Sequence, residues 1–326
     1  MNDSGIETVA VIGTGLIGSA WTTLFLAHGL KVIAVDPDPD APGRLRQTIE
    51  SMAAHLREAD LIAHDAEIDT DRVRHVSSPG PELAAARFVQ ENAPERLELK
   101  RELFARLDEL TEPDTILASS TTALRVSDIQ TACRHPERVI AGHPLNPPHL
   151  IPLVEISGGE LTDPAALERA AAFYRSIGKV PVCLRRDIEG HIAGRLSAAL
   201  WREAVHLVEQ GIASVEDIDA AVVNGPGLRW AAVGPHMTYH LGGGPGGIAD
   251  YLEHLGASQE RRWASLGTPQ LTDEVKRQIS DGLNTAANGL SVEALEAERD
   301  RSIVSVLRTQ RHRPPPQSKR ERQVAM

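Results

Sequence analysis

Hydrophobic positions in the first half of the chain fall into short β-branched runs separated by stretches with helical spacing. The runs predict strands over residues 8–12, 31–35, 73–76, 86–90, 115–119, 139–142, 153–156 and 180–184. Helical spacing between them predicts helices over 16–28, 42–60, 94–110, 126–133 and 163–177. The stretch 42–60 carries Arg44, Arg46 and Arg57 among acidic residues and is expected to be a solvated excursion. Strands alternating with helices imply an α/β domain built on a mostly parallel sheet. Past Asp187 the pattern changes. Ile192, Leu196, Leu200, Leu207 and Val208 recur at helical spacing over 192–210, and Gly211 suits the stop. Further helices are expected over 214–223, 248–255, 272–283 and 292–309, with Gly/Pro-rich loops at 224–228 and 242–247. This half shows no strand pattern. The expected organisation is an α/β domain over residues 1–188, an all-α domain over 189–311 and a disordered basic tail over 312–326.

Composition narrows the class. The 326 residues are 41% hydrophobic and carry a formal charge of −11. That is enough apolar material for ordinary cores, and the negative charge argues against nucleic acid or anionic membrane as a partner. No stretch approaches the ~20 apolar residues of a membrane span. A polar, acidic start runs straight into the first strand, so a cytoplasmic location is expected. Cys133 and Cys183 form no CxxC pair and are expected to be reduced core thiols. His236 and His240 have metal-ligand spacing but no third ligand near them, so no metal site is expected.

The strand at 8–12 runs directly into Gly13-Thr14-Gly15-Leu16-Ile17-Gly18, and Asp36 closes the next strand. Strand, GxGxxG, helix and acid in that order form a dinucleotide-binding fingerprint, which implies a Rossmann domain. Gly13 permits the tight turn, Gly15 lets the pyrophosphate approach the backbone, and Gly18 lets the helix pack on the strand. The diphosphate is expected against the free N–H groups that open the helix at Leu16 and Ile17. Asp36 suits ribose hydroxyls and repels a 2′-phosphate, so the expected cofactor is NAD.

Three later segments end strands where open α/β sheets bind ligands: Ser119-Ser120-Thr121-Thr122, Gly142-His143-Pro144-Leu145-Asn146-Pro147, and Leu153-Val154-Glu155. Oxidising an alcohol needs a base for the hydroxyl proton, and histidine titrates in the useful range. A carboxylate behind it fixes the tautomer and stabilises the imidazolium. His143 and Glu155 fill these roles if the prolines between them turn the chain back.

These motifs, together with Glu91-Asn-Ala-Pro-Glu95, resemble the 3-hydroxyacyl-CoA dehydrogenase family across roughly residues 7–310. Gly227-Leu-Arg-Trp-Ala-Ala-Val-Gly-Pro235 and the Gly242-Gly-Gly run resemble its branch of lambda-crystallin, L-gulonate 3-dehydrogenase and L-carnitine dehydrogenase. The resemblance implies an NAD-dependent oxidoreductase interconverting L-3-hydroxy and 3-oxo substrates, a place in fatty acid metabolism, and homodimers formed through the C-terminal helical domain. It implies His143 and Glu155 as the dyad and Thr122 where the family has a substrate-binding serine. It places Glu95 and Lys100 on the cofactor side of the cleft. Ser120, Asn146 and Arg229 are candidates for the small-molecule substrate, with Arg229 equally suited to tie down its loop or a dimer partner.

Two positions depart from the family pattern. Thr122 keeps the serine's hydroxyl and adds a methyl. Gly194 stands where the family has an asparagine or aspartate, and His191, one turn earlier, matches a packing phenylalanine. Three substrate classes stay open: a 3-hydroxyacyl thioester, a free hydroxy acid of the gulonate type, and carnitine. A thioester needs basic groups, for which Arg44, Arg46 and Lys100 are candidates. A sugar acid needs little beyond Arg229, whose guanidinium suits a carboxylate. Carnitine wants an aromatic or acidic cage, with Trp201, Trp230 and Tyr239 available for an aromatic one. A catalytically silent NAD-binding protein is the alternative from another class.

Overall fold

The computed structural model describes residues 5–311. Its strands are β1 (Thr8–Ile12), β2 (Lys31–Val35), β3 (Val73–Val76), β4 (Phe88–Glu91), β5 (Ile116–Ser119), β6 (Val139–Pro144), β7 (Leu153–Gly158) and β8 (Val180–Cys183). They form one sheet in the order β3-β2-β1-β4-β5-β6-β7-β8. All neighbours are parallel except β6 and β7, which are antiparallel. The strand order reverses between β1 and β4, and at that switch point the ends of the strands open a crevice.

Both faces of the sheet are covered, and the period-2 alternation of strands sorts the side chains between them. Val9, Val11, Val32, Ala34, Ile116, Ala118 and Ile140 pack into one core, with Trp21 and Phe25 of α1 (Leu16–Ala27) and Leu45, Ile49 and Leu56 of α2 (Ala41–Glu58). Ala10, Ile12, Ile33, Val35, Leu117, Val139 and Ala141 face the other way, against Phe104 and Leu107 of α3 (Leu97–Leu110) and Val126 and Ile129 of α4 (Val126–Ile129). Few aromatics are present, but five of them gather in the first core. Phe173 and Tyr174 of α5 (Pro164–Ser176) join Trp21, Phe25 and Phe88 there.

The chain divides into two units, and among the described residues the first comprises 5–193 together with 296–311. The second comprises 194–295. Sequence placed residues 189–311 in one helical domain. The difference arises in the last helix, whose Val304 and Leu307 bury against Ala59 and Leu150 of the first unit. The stretch around 42–60 is likewise no solvated excursion. Its Leu45, Ile49, Met52, Ala53 and Leu56 form a buried stripe, while Arg44 and Arg46 are exposed and half-buried Arg57 donates to the Ala66 carbonyl. Cys183 is exposed rather than buried in a core, whereas Cys133 is half-buried and burial pushes its thiol up to about 12. The tail at 312–326 lies outside the described residues.

The second unit is helical. It holds most of α6 (Ala193–Glu209), then α7 (Val215–Val222), α8 (Leu228–Trp230), α9 (Pro235–Gly242), α10 (Gly247–Ser265) and α11 (Asp273–Ala287), and α12 (Val292–Arg311) starts here. Helix α9 was not legible in the sequence, because its eight residues begin with a proline and none is buried, so no apolar stripe marks it. The segment Val223–Gly227, which covers most of the loop expected over 224–228, continues α7 as a single wide π-type turn broken at Gly225. Val205, Ile218 and Val275 supply the little buried apolar surface of this unit. No described helix is long and apolar enough to cross a membrane.

Candidate active site

The cofactor cradle is built from backbone. Gly13 has φ +81°, and a Cβ there would sit 3.1 Å from the Asn92 carbonyl oxygen. A Cβ on Gly18 would fall 1.8 Å from the Gly13 carbonyl oxygen. Both positions therefore need glycine. Gly15 differs, since nothing lies within 4 Å of a Cβ built on it. It caps α1 without any side-chain hydrogen bond, which leaves the amides that open the helix, Leu16 and Ile17 among them, uncapped by the protein. Open space in front of unsatisfied N–H groups is what a pyrophosphate requires, so the residues fit a dinucleotide. Asp36 follows β2, and its Oδ2 accepts from the Thr14 amide and hydroxyl at 2.8 Å each. Burial alone would raise its pKa, but these bonds and one from the Asp38 amide outweigh it and hold the carboxylate ionised. Arg44, which comes after Asp36 in the chain, is paired with Asp38 at 2.7 Å.

The dyad follows from strand pairing. Because β6 and β7 run antiparallel, His143 and Glu155 are direct cross-strand partners. Both side chains are buried, and His143 Nδ1 lies 3.1 Å from Glu155 Oε2. The other oxygen, Oε1, accepts from the Ile192 and Ala193 amides at 2.9 Å each, where α6 opens. Burial would push Glu155 up, but the hydrogen bonds from His143, Ala193 and Ile192 prevail and keep it below the usual range. An ionised carboxylate only accepts, so His143 carries its proton on Nδ1 and leaves Nε2 as the basic nitrogen. His191 stacks on the His143 ring, with centroids 4.8 Å apart and planes inclined by 23°.

The turn after β5 carries the hydroxyls. Glu95 Oε1 accepts from the Thr121 hydroxyl at 2.6 Å and from the amides of Thr122, Ala123 and Leu124 at 2.9, 2.9 and 3.3 Å. Lys100, fully buried, bonds both oxygens of buried Glu91 at 2.7 and 2.9 Å and the Ala93 carbonyl at 3.1 Å. It also lies 3.5 Å from Glu95. Lys100 is thus an interior brace whose ammonium is turned inward, and Glu95 organises the turn. Thr122 is exposed at the apex, and its hydroxyl has no partner in the protein. Ser120 donates to Asn92 Oδ1 at 2.7 Å and accepts from Gln90 Nε2 at 2.8 Å, so its proton is already committed.

In the sequence Glu91 stands only as the start of a motif, and nothing singles out Gln90. Gln90, wholly buried, accepts from the Tyr174 hydroxyl at 2.6 Å and donates to the Gly142 carbonyl at 3.1 Å, which locks β4 to β6 below the site. Two polar residues ending an apolar strand, just before Asn-Ala-Pro, were the available signal. Asn146 is exposed on the β6–β7 connection. Arg229 is an exposed residue of α8 in the second unit. His240 accepts from the Ile248 amide at 3.1 Å, which gives it a structural role. Among the described residues no three His, Cys, Asp or Glu side chains are grouped to hold a metal.

Comparison with known proteins adds to this geometry. The model for the 3-hydroxyacyl-CoA dehydrogenase NAD-binding domain matches residues 8–188, and that for the family's C-terminal domain matches residues 190–276. The chain is 46% identical over 303 residues to an L-carnitine dehydrogenase of Streptomyces coelicolor, covering 93% of this chain and 94% of that one. An L-carnitine dehydrogenase of Bacillus cereus is 40% identical over 307 residues, covering 94% and 93%. Among solved structures, 5-formyl-3-hydroxy-2-methylpyridine 4-carboxylic acid 5-dehydrogenase, an NAD-dependent dismutase, is similar with TM-score 0.80 and 30% identity over 95% of this chain and 100% of that one. The 3-hydroxybutyryl-CoA dehydrogenase of Escherichia coli K12 is similar with TM-score 0.63 and 32% identity over 73% and 49%.

Proposed function

The chain belongs to the 3-hydroxyacyl-CoA dehydrogenase family and is an NAD-dependent oxidoreductase, and from that premise we propose that its substrate is L-carnitine. One observation carries this choice over the thioester and gulonate alternatives: 46% identity to an L-carnitine dehydrogenase extends over 303 residues, through both halves of the chain.

His143 Nε2 takes the proton of the substrate hydroxyl. Glu155, ionised and pinned by two amides, holds the imidazole in the donating tautomer and balances the imidazolium that forms. The Thr122 hydroxyl holds the same substrate oxygen. Gly13, Gly15, Leu16, Ile17 and Gly18 hold the diphosphate and Asp36 the ribose. When bound, NAD supplies the acceptor for the hydride that leaves C3, so the alcohol becomes a ketone. Glu95 and Lys100 act through the turn they brace rather than by direct contact. Ser120 serves as an acceptor at most, while exposed Asn146 offers a polar group toward the substrate. Exposed Arg229 suits the carboxylate bidentately. The exposed aromatics Trp201, Trp230 and Tyr239 of the same unit suit a trimethylammonium group. We assign the working form as a homodimer, supported by the apolar exposure of the second unit, where Leu200, Leu241, Leu252 and Trp263 are exposed.

The test is NADH formation by the purified protein with L-carnitine, L-gulonate and 3-hydroxybutyryl-CoA in parallel. L-carnitine is expected to lead in kcat/KM by at least about 10-fold, the scale on which one well-made pocket discriminates. A lead for either of the others would overturn the carnitine assignment. A monomeric mass in sedimentation would overturn the dimer.

A further inference from the structure

His191 has no part in the chemistry above, yet backbone, ring face and one ring nitrogen are each constrained. It sits at φ +48° in the turn before α6, in the left-handed region that an L-residue adopts at a cost. Its side chain is buried, one face of its ring lies on His143, and its Nε2 is 3.0 Å from the Thr121 carbonyl oxygen. A carbonyl only accepts, so Nε2 bears the proton and Nδ1 keeps a lone pair. That Nδ1 is buried without a partner. An aromatic hydrocarbon would fill the same slot without leaving a polar atom unsatisfied, so filling space does not account for an imidazole here. The hydrogen bond to Thr121 does.

We propose that His191 is a positioning residue that clamps the face of His143 and ties it, through the Thr121 carbonyl, to the turn bearing the Thr122 hydroxyl. The base and the hydroxyl that share the substrate oxygen are then fixed to each other through one ring, although they come from different strands. The groups facing His191 are His143 from β6, Glu155 from β7, Asp187 from its own loop and the Thr121 carbonyl from the turn after β5. Burial, the largest effect, disfavours a second proton on His191, and the nearby His143 disfavours it further. The ring stays neutral while His143 charges. It also keeps water off the face of His143 that it covers.

The inference rests on His143 as the base, and the experiment separates the two. His143→Ala, His191→Ala and His191→Phe are compared in kcat, KM and the pH profile of kcat/KM. In His191→Ala the base loses its clamp and water reaches its face. Turnover is expected to fall up to about 100-fold, as for a small misplacement of a catalytic group. The acid limb of the profile should move, because water replaces the ring against the base. His191→Phe keeps the stack and the dry face, so the acid limb should return to its native place. It lacks the bond to Thr121, so KM should stay raised by roughly 2- to 10-fold, what one neutral hydrogen bond contributes. An unmoved limb and unchanged kcat in His191→Ala would overturn the clamp. A His191→Phe enzyme native in every parameter would overturn the tie to Thr121 and leave the ring as packing. Should His191→Ala fail to fold, the KM of His191→Phe still decides on the tie. Near-native turnover in His143→Ala would count against the base itself, not against His191.

Discussion

A histidine can act as a base only while one ring nitrogen keeps its lone pair, and at residue 143 the choice is made by Glu155. The carboxylate spends one oxygen on the imidazole and the other on two amides at the start of α6, so it has no reason to take the proton itself. His143→Ala is therefore expected to bind NADH as tightly as the native protein while losing about 10²- to 10⁴-fold in turnover, the usual worth of a positioned general base. Tryptophan-quenching titration and steady-state kinetics would show the split; a comparable loss of NADH affinity would mean that the residue supports the cradle instead. The types of His143, Glu155 and Thr122 were legible from the motif they sit in. The inward turn of Lys100 was not. A lysine beside a nucleotide motif reads as a phosphate or nicotinamide contact. Only the coordinates show Glu91 beneath it, 2.7 Å away in a dry interior.

Among elements, the first βα turn separates stability from function within three glycines. Gly18→Ala would drive its methyl group into the Gly13 carbonyl, so α1 must lift from the sheet. Loss of both NADH binding and several degrees of melting temperature is expected. Gly15→Ala meets open space and φ −64°, so the fold should tolerate it, whereas the methyl group occupies the approach of the diphosphate. Its melting temperature should stay within about 2 °C of native, a change under about 0.5 kcal/mol, while NADH affinity falls. Equal effects of the two substitutions, by differential scanning fluorimetry with and without NADH, would contradict this division. The β6–β7 hairpin shows the limit of pattern reading at this scale. Both strands are apolar runs whatever their direction, and the antiparallel turn that makes His143 and Glu155 neighbours lies in the proline-rich connection, where periodicity carries no information.

For the whole molecule, buried titratable groups set how stability follows pH. Lys179 is buried, donates to the carbonyls of Pro148 and Ile151 and lies 5.1 Å over the Trp21 ring, and burial pushes its ammonium down to about 7. Its folded pKa is below its unfolded value of 10.5, so between those values the unfolded chain binds more protons and stability rises with pH. His149, pushed down to about 3 by burial, acts likewise below its unfolded 6.5, as the unfolded chain takes up a proton that the fold refuses. Glu155, Glu95 and Asp108 are held low by hydrogen bonds that outweigh burial, so their contribution is present above the unfolded carboxylate range and is lost as pH falls through their folded values. Stability from urea titrations is expected to climb from pH 4 to pH 9, and Lys179→Met should flatten the part above 7; a maximum near pH 6 would contradict this. Sequence alone determined the alternation that makes a doubly wound sheet, the glycine cradle with its acid and the residue types of the dyad, because these depend on local periodicity and on backbone conformations few residues permit. Tertiary structure alone decided that α2 lays a buried stripe on the first core, that the end of α12 belongs to the first unit, that Lys100 braces a turn and that His191 lies against the base. Those outcomes depend on which distant surfaces meet, and burial between remote segments leaves no mark in the local pattern.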